Sequence, residues 1–310
     1  MGKLVAFPTE TVYGLGANAL DEGAVQSIFS VKSRPGYNPL IVHVADVESA
    51  RRLTAVWPQS AERLARAFWP GPLTLILPKH PIIPHAVTAG LSSVAVRVPA
   101  HPVAQALLRA AALPIAAPSA NRSSEVSPTT ANHVAQSLGE AVDLILDGGP
   151  TPLGIESTVL DLSGAQPVLL RPGLLSTKEL EPVLKVPLQT LREPAGAAAR
   201  RSPGMLNRHY APRAALKLYR QHETDQALRL ARRAKAERHI VGALLLSSLD
   251  APLTHPIAMP AEPGAYARLL YASLHSLDAL ACDLILVECP PESPSWDGIR
   301  DRLQRAAIPL

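Results

Sequence analysis

The chain has little cysteine, no long apolar run and none of the common nucleotide or hydrolase signatures. Only Cys282 and Cys289 occur in 310 residues, with no Cys-x-x-Cys pair. That argues against a disulfide framework and a thiolate zinc site. The histidines, His80 and His85 included, show no metal-ligand spacing. No apolar stretch reaches the roughly 18 residues a membrane helix needs. The opening MGKLVAFPTET reads as a strand and not as a signal peptide, so a cytoplasmic protein is the expectation. GxxxxGK[ST] and GxGxxG are missing, no Ser-His-Asp constellation stands out, and no internal repeat is evident.

What is present is a core-forming composition. The chain is 47% hydrophobic and 18% charged, enough for one large or two ordinary domains. Its 31 prolines are about twice the usual share of roughly 5% and favour rigid loops. The net charge of +4 is uneven: residues 1–190 hold 14 basic and 14 acidic side chains, the remainder 16 and 12. Most of the excess lies in 192–220, with Arg192, Arg200, Arg201, Arg208, Arg213, Lys217 and Arg220 against Glu193. A nucleic-acid-binding domain would spread a basic face over its fold; here the basic segment reads as a linker.

Apolar runs LVAF, PLIVHV, LTLIL, VAVRV, PIAA, LILD, STVLDL and PVLLR predict strands. Helical patterns lie between them, in PQSAERLARAFW, HPVAQALLRAAA and TTANHVAQSLG. Mixed α/β with a broad twisted sheet follows. From residue 173 to 213 the rhythm fails among five prolines and AGAAARR. A second unit then alternates ALKLY, ETDQALRLARRAKA, IVGALLL, GAYARLLYASLHSLDALA, LILVEC and a last helix near WDGIRDRLQRAA, the pattern of a small parallel-sheet domain.

Chemistry concentrates in a few loops. In FSVKSRPGYNPLIVHV, Lys32 and Arg34 stand one residue apart near a Pro-Gly turn, read as an extended loop, and the next strand ends at His43. Arginine forks onto phosphate oxygens and lysine acts as a point charge. FPTETVYGLG offers Thr9, Thr11 and Tyr13 with Gly14 and Gly16, either a binding edge or a plain strand exit. APSANRSSEVSPT crowds Ser119, Asn121, Ser123, Ser124 and Ser127 into one loop; Ser127 or Thr129 could instead cap the following helix. DGGPTPLGIESTVLDL brings Ser157 and Thr158 to a strand start, and LLRPG ends a strand at Arg171. Arg97 interrupts the apolar VAVRVP, where burial requires a partner; it reads as a cavity ligand or a strand-edge surface residue, the former favoured. Together these describe a cavity with many cations and hydroxyls and few carboxylates, suited to a nucleotide triphosphate plus a small anion.

These motifs, in order over residues 4–173, resemble the threonylcarbamoyl-AMP synthase family with its YrdC-like catalytic domain. Lys32-x-Arg34 and Ser119-x-Asn121 match its signature, and SPGMLNRHYAP at 202–212 is similar to the linker of its two-domain members. The resemblance implies a YrdC-like twisted mixed sheet with helices around a concave basic cavity over 1–175. A linker or lid would follow over 176–213, then a smaller Rossmann-like α/β domain over 214–310. It implies formation of threonylcarbamoyl-AMP and pyrophosphate from L-threonine, bicarbonate and ATP, with Mg2+ accompanying ATP. A tRNA threonylcarbamoyl-transferase complex would take the product to N6-threonylcarbamoyladenosine. Carried over by motif, Thr11, His43, Arg97, Ala117 (by its backbone) and Ser157 would bind threonine. Arg34, Asn38, Ser93, Ser119, Asn121, Ser127, Arg171 and Tyr210 would bind ATP, and Lys32 and Arg34 would be catalytic. Family members usually have a helix before the first strand, whose absence here would leave apolar surface exposed. The alternatives are a non-enzymatic RNA-binding module and a related carbamoyl-adenylate-forming enzyme; the carbamoyl-transferring relatives carry zinc-type cysteine motifs that this chain does not.

Overall fold

The computed structural model describes residues 2–190 and 209–308. The first unit opens with β1 (Val5–Pro8) and β2 (Tyr13–Asn18), an antiparallel hairpin whose turn carries Thr9–Val12. Helix α1 (Glu22–Lys32) follows; Asp21 caps it by accepting from the Ala24 N–H, and Ala24, Val25, Ile28 and Phe29 form its buried stripe. Then come β3 (Ile41–His43), α2 (Val47–Arg52), α3 (Gln59–Phe68), β4 (Leu73–Pro78), α4 (His85–Thr88), β5 (Ser93–Arg97), α5 (Pro102–Ala111) and β6 (Ile115–Ala116). They are followed by α6 (Ala131–Leu138), β7 (Leu144–Ile145), β8 (Thr158–Asp161), β9 (Val168–Arg171), α7 (Thr177–Leu184) and β10 (Gln189–Thr190). The strands form one mixed sheet in the order β10-β9-β8-β4-β5-β3-β6-β2-β1-β7. β3 and β5 run parallel with His43 opposite Arg97, so both side chains leave the sheet at the same end.

The second unit comprises β11 (Ala215–Tyr219), α8 (Thr224–Ala236), β12 (Val241–Leu245), β13 (His255–Ala258), α9 (Pro263–Ala279), β14 (Leu284–Glu288) and α10 (Asp297–Ala306). Its four strands are all parallel, ordered β11-β14-β12-β13. Ala227, Ala231 and Ala234 of α8 pack on one face. On the other, α9 and α10 join a core that also contains Val12, Val126 and Ile155 of the first unit. The two units thus share apolar packing directly behind the loops that carry the candidate residues.

Several expectations need correction. Lys32 is not on an extended loop: it is the last residue of α1 and is buried, and Ser33 ends the helix in the left-handed conformation at φ 51°. The cap of α6 is Thr130, not Ser127 or Thr129. The stretch after 173 carries α7, with a Ser176/Glu179 capping box, and β10, which extends the first sheet. Arg63 of α3 holds the end of α7 by donating to the Val183 and Leu184 carbonyls. Strands β2 and β13 were not expected as separate strands. Residues 191–208, including Arg192, Arg200, Arg201 and Arg208 of the basic segment, lie outside the described residues.

Candidate active site

The ends of β3, β5, β8 and β9, the β1–β2 turn and the stretch after β6 converge on one cavity. Arg97 is buried because it has a partner: its Nη2 lies 2.6 Å from Glu10 Oε1, Nη1 donates to Thr11 Oγ1 at 3.0 Å, and Nε to the Gly71 carbonyl. Glu10 also accepts from the Ala100 N–H. Thr9 Oγ1 shapes the turn by donating to the Val12 carbonyl at 2.6 Å. His43 packs edge-on to Phe7 and its Nδ1 has no hydrogen-bond partner. Burial, reinforced by the nearby Arg97 charge, pulls its pKa down to about 3, so the imidazole is neutral. Ser157 Oγ is hydrogen-bonded to Thr74 Oγ1 at 2.7 Å and receives Arg171 Nη2 at 3.1 Å.

A second group gathers on the other side. Arg34 lines the cavity, its Nη2 donating to the Pro39 carbonyl and its Nε to that of Asn38. Burial lowers its pKa to about 10. Lys32 Nζ donates to the carbonyls of Ser119, at 2.5 Å, and Asn121. Burial, with repulsion from Arg34, pulls the ammonium well below its usual range. The signature pairs Lys32/Arg34 and Ser119/Asn121 therefore meet through a lysine clamp on the loop backbone.

Of the sequence-derived candidates, Thr11, His43, Arg97, Ala117 and Ser157 line the cavity, as do Arg34, Ser119, Arg171 and Tyr210. Ala117 has already given its N–H to the Ile41 carbonyl. Lys32, Asn121 and Ser127 stand behind the lining, and Asn38 is buried with both side-chain amide atoms unpartnered. Ser93 starts β5 at the end opposite Arg97, roughly 13 Å away at about 3.3 Å per residue.

Sequence reasoning missed Glu10 and Glu156. Glu156 lines the cavity, against the expectation of few carboxylates only in part, because its charge is answered. Burial would raise its pKa, but the Arg302 and Arg171 charges and the bonds from Ser127 and Arg302 outweigh it and hold it at about 2. His209 and Tyr210 close the cavity from the side of the interdomain segment. Tyr210 is buried at φ 61° with its hydroxyl unpartnered, and the His209 ring stands edge-on to it at 4.0 Å. About 50 Å³ remains open, which fits a few waters at most. Among the described residues no three His, Cys, Asp or Glu side chains are placed to hold a metal ion, and no helix is long and apolar enough to cross a membrane.

Comparison with known proteins places this arrangement. A family model described as "Telomere recombination" matches residues 1–173, and one described as "Threonylcarbamoyl-AMP synthase, C-terminal domain" matches 175–308. Threonylcarbamoyl-AMP synthase of Pyrococcus abyssi is 44% identical over 99% of this chain and 91% of its own length. The Bacillus subtilis protein of the same name is 42% identical over 98% and 89%. The crystal structure of P. abyssi Sua5 complexed with L-threonine superposes with a TM-score of 0.91 at 42% identity, covering 100% of this chain and 93% of that one. The chain belongs to the threonylcarbamoyl-AMP synthase family.

Proposed function

We propose that this protein is an L-threonylcarbamoyladenylate synthase acting in the cytoplasm, with L-threonine, bicarbonate and ATP as substrates. The observation that carries the reading is one cavity with two chemically different sides. Around Arg97, a paired arginine, a neutral histidine and the Thr11 and Ser157 hydroxyls suit a small zwitterion. Around Arg34, clustered cations suit a polyphosphate.

In this reading Thr11, His43, Arg97, Ala117 and Ser157 hold threonine. Arg34, Ser119, Arg171 and Tyr210 contact ATP directly, with Lys32, Asn121 and Ser127 fixing the loop beneath it. Ser93 and Asn38 contribute from outside the present lining. Bicarbonate gives CO2 and hydroxide, the neutral threonine amine adds to the CO2, and the proton it releases combines with that hydroxide, so that amine and bicarbonate become carbamate and one water. A carbamate oxygen attacks the α-phosphorus, and the bond to the bridging oxygen breaks with its electron pair leaving on pyrophosphate. No protein nucleophile is required; alignment and charge neutralisation supply the rate. Mg2+ would enter with ATP as the substrate complex, held by phosphate oxygens and water, since both Glu156 oxygens are already engaged. The product would pass to a tRNA threonylcarbamoyl-transferase complex.

Pyrophosphate release measured with each substrate omitted in turn tests the assignment. Release that depends on both threonine and bicarbonate is the expected result; equal release without threonine would refute it.

A further inference from the structure

Glu156 is a cavity-wall carboxylate whose partners come from both units. Its Oε1 accepts from Ser127 Oγ at 2.5 Å. Its Oε2 accepts from Arg302 Nε at 2.7 Å and from the Tyr271 hydroxyl at 3.1 Å. Arg302, on α10 of the second unit, has no exposed side-chain surface. Its remaining donors go to the carbonyls of Pro172 and Glu156 and to the Asp301 carboxylate. The guanidinium carbon lies 5.3 Å from the centre of the Tyr210 ring, which in turn stacks near Tyr271. One arginine therefore touches the carboxylate that holds Ser127, the strand end after Arg171 and the ring that closes the cavity.

The backbone contacts around it are equally close. A β-carbon on Gly298, one turn before Arg302, would stand 2.5 Å from the Gly173 carbonyl. One on Gly154 would stand 2.4 Å from that of Ala267 on α9, and Gly154 has φ +82°. Helices α9 and α10 are thus seated against the two loops that present Glu156–Ser157 and Arg171.

We propose that Glu156 and Arg302 are a positioning pair through which the second unit completes the nucleotide side of the cavity. Arg302 fixes the carboxylate and through it Ser127, and packs directly on the Tyr210 ring, in the geometry that receives ATP. The inference rests on reading that side as the ATP site. Three donors converge on one carboxylate, and a neutral amide offers a single acceptor oxygen, so Glu156→Gln loses the arrangement even though it removes a negative charge facing phosphates. Arg302→Met takes away the larger of the two cationic charges that answer that carboxylate and leaves it to Arg171, Ser127 and Tyr271. The Arg97 side has its own carboxylate, Glu10, and is not hydrogen-bonded to this pair.

The test is steady-state pyrophosphate release by the full chain, varying ATP and threonine separately, for Glu156→Gln, Arg302→Met and the double variant. The double variant removes both buried charges and so is protected against an unpaired one; it decides the matter where a single variant fails to fold. The expected result is an ATP KM at least tenfold higher in each, a threonine KM within twofold of the parent, and a double variant no worse than the worse single. Arg302→Lys, which keeps the charge without the fork, should fall between. A double variant with the parental ATP KM, a Glu156→Gln with improved ATP KM, or equal rises in both KM values would overturn the proposal. Parental release that ignores threonine would instead sink the adenylate reading itself.

Discussion

The two sides of the cavity differ in how the cations named by the sequence motifs are answered. On the side proposed for threonine, the buried Arg97 already has a carboxylate at 2.6 Å. On the side proposed for the nucleotide, Lys32 and Arg34 are both buried, and among the described residues neither lies within ion-pair distance of a carboxylate. A buried charge without a counter-charge is costly, and here the cost is spread over backbone carbonyls. The lesson concerns ligands: an amino acid brings no net charge and needs a site already neutral, whereas a triphosphate brings the missing anions itself.

The largest effect should come from removing the unanswered charge. Arg34→Ala is expected to lower kcat/KM for ATP about 100-fold, the size of one or two charge-assisted hydrogen bonds, with threonine affinity unchanged. Lys32→Ala should lower turnover at least tenfold. Because Lys32 bonds two loop carbonyls and is not a solvated loop residue, it should also cost on the order of 1–3 kcal/mol of stability. Steady-state kinetics with thermal denaturation separates the two. Wild-type turnover of both variants at saturating ATP would leave the Lys-x-Arg motif without a catalytic part.

Next comes the answered charge. Glu10→Gln leaves Arg97 without its counter-ion and frees it to swing from Thr11. Threonine KM should rise about tenfold, the equivalent of roughly 1.4 kcal/mol, while ATP KM stays put. A larger shift in ATP than in threonine KM would erase the distinction between the two sides.

The sides also differ in how they are closed. Strand ends wall the threonine side, while His209 and Tyr210, the described end of the segment expected to be a lid, roof the other. With only about 50 Å³ open, displacement of those two residues on substrate entry is the expected movement, and lids of this kind gate entry and release. Amide hydrogen exchange over 200–213 should slow about tenfold when threonine and a non-hydrolysable ATP analogue are bound. Unchanged exchange under proven binding would remove the lid.

How far this could be read from the chain depended on the range of the interaction. Every strand expected in the first unit is present, because short β-branched runs such as PLIVHV and VAVRV fit buried strands. Strand β2 escaped because YGLGAN is rich in glycine and small residues, a poor strand signal. The placement of Lys32 failed although Asp21 and the 24, 25, 28, 29 spacing marked the helix. Arg97 was recognised as needing a partner, but Glu10 lies 87 residues away and Glu156 lies 146 from Arg302. Nothing local in the sequence connects such pairs; only the fold brings them together.

The smallest effect concerns what the two sides share. Each has one imidazole buried in neutral form, His43 and His209, both with pKa lowered to about 3 chiefly by burial. In the unfolded chain a histidine titrates near 6.5. Between that value and about 3 the unfolded state therefore binds protons that the folded state does not. The stability these residues contribute is complete above the unfolded pKa and is lost as pH falls below it. From pH 7.0 to 5.5 each should cost about 1 kcal/mol, well before most carboxylates protonate. Urea unfolding at the two pH values checks this. His43→Gln and His209→Gln should each remove an equal share of the loss, and the double variant both shares, since no hydrogen bond joins the two rings. Part of the loss should survive, since burial also lowers His133, to about 4, and His275 and His101; a double variant that loses as much as the parent would assign the acid sensitivity to them alone. Unequal shares would show that one side of the cavity admits water where the other does not, and would carry the contrast in charge over to solvation.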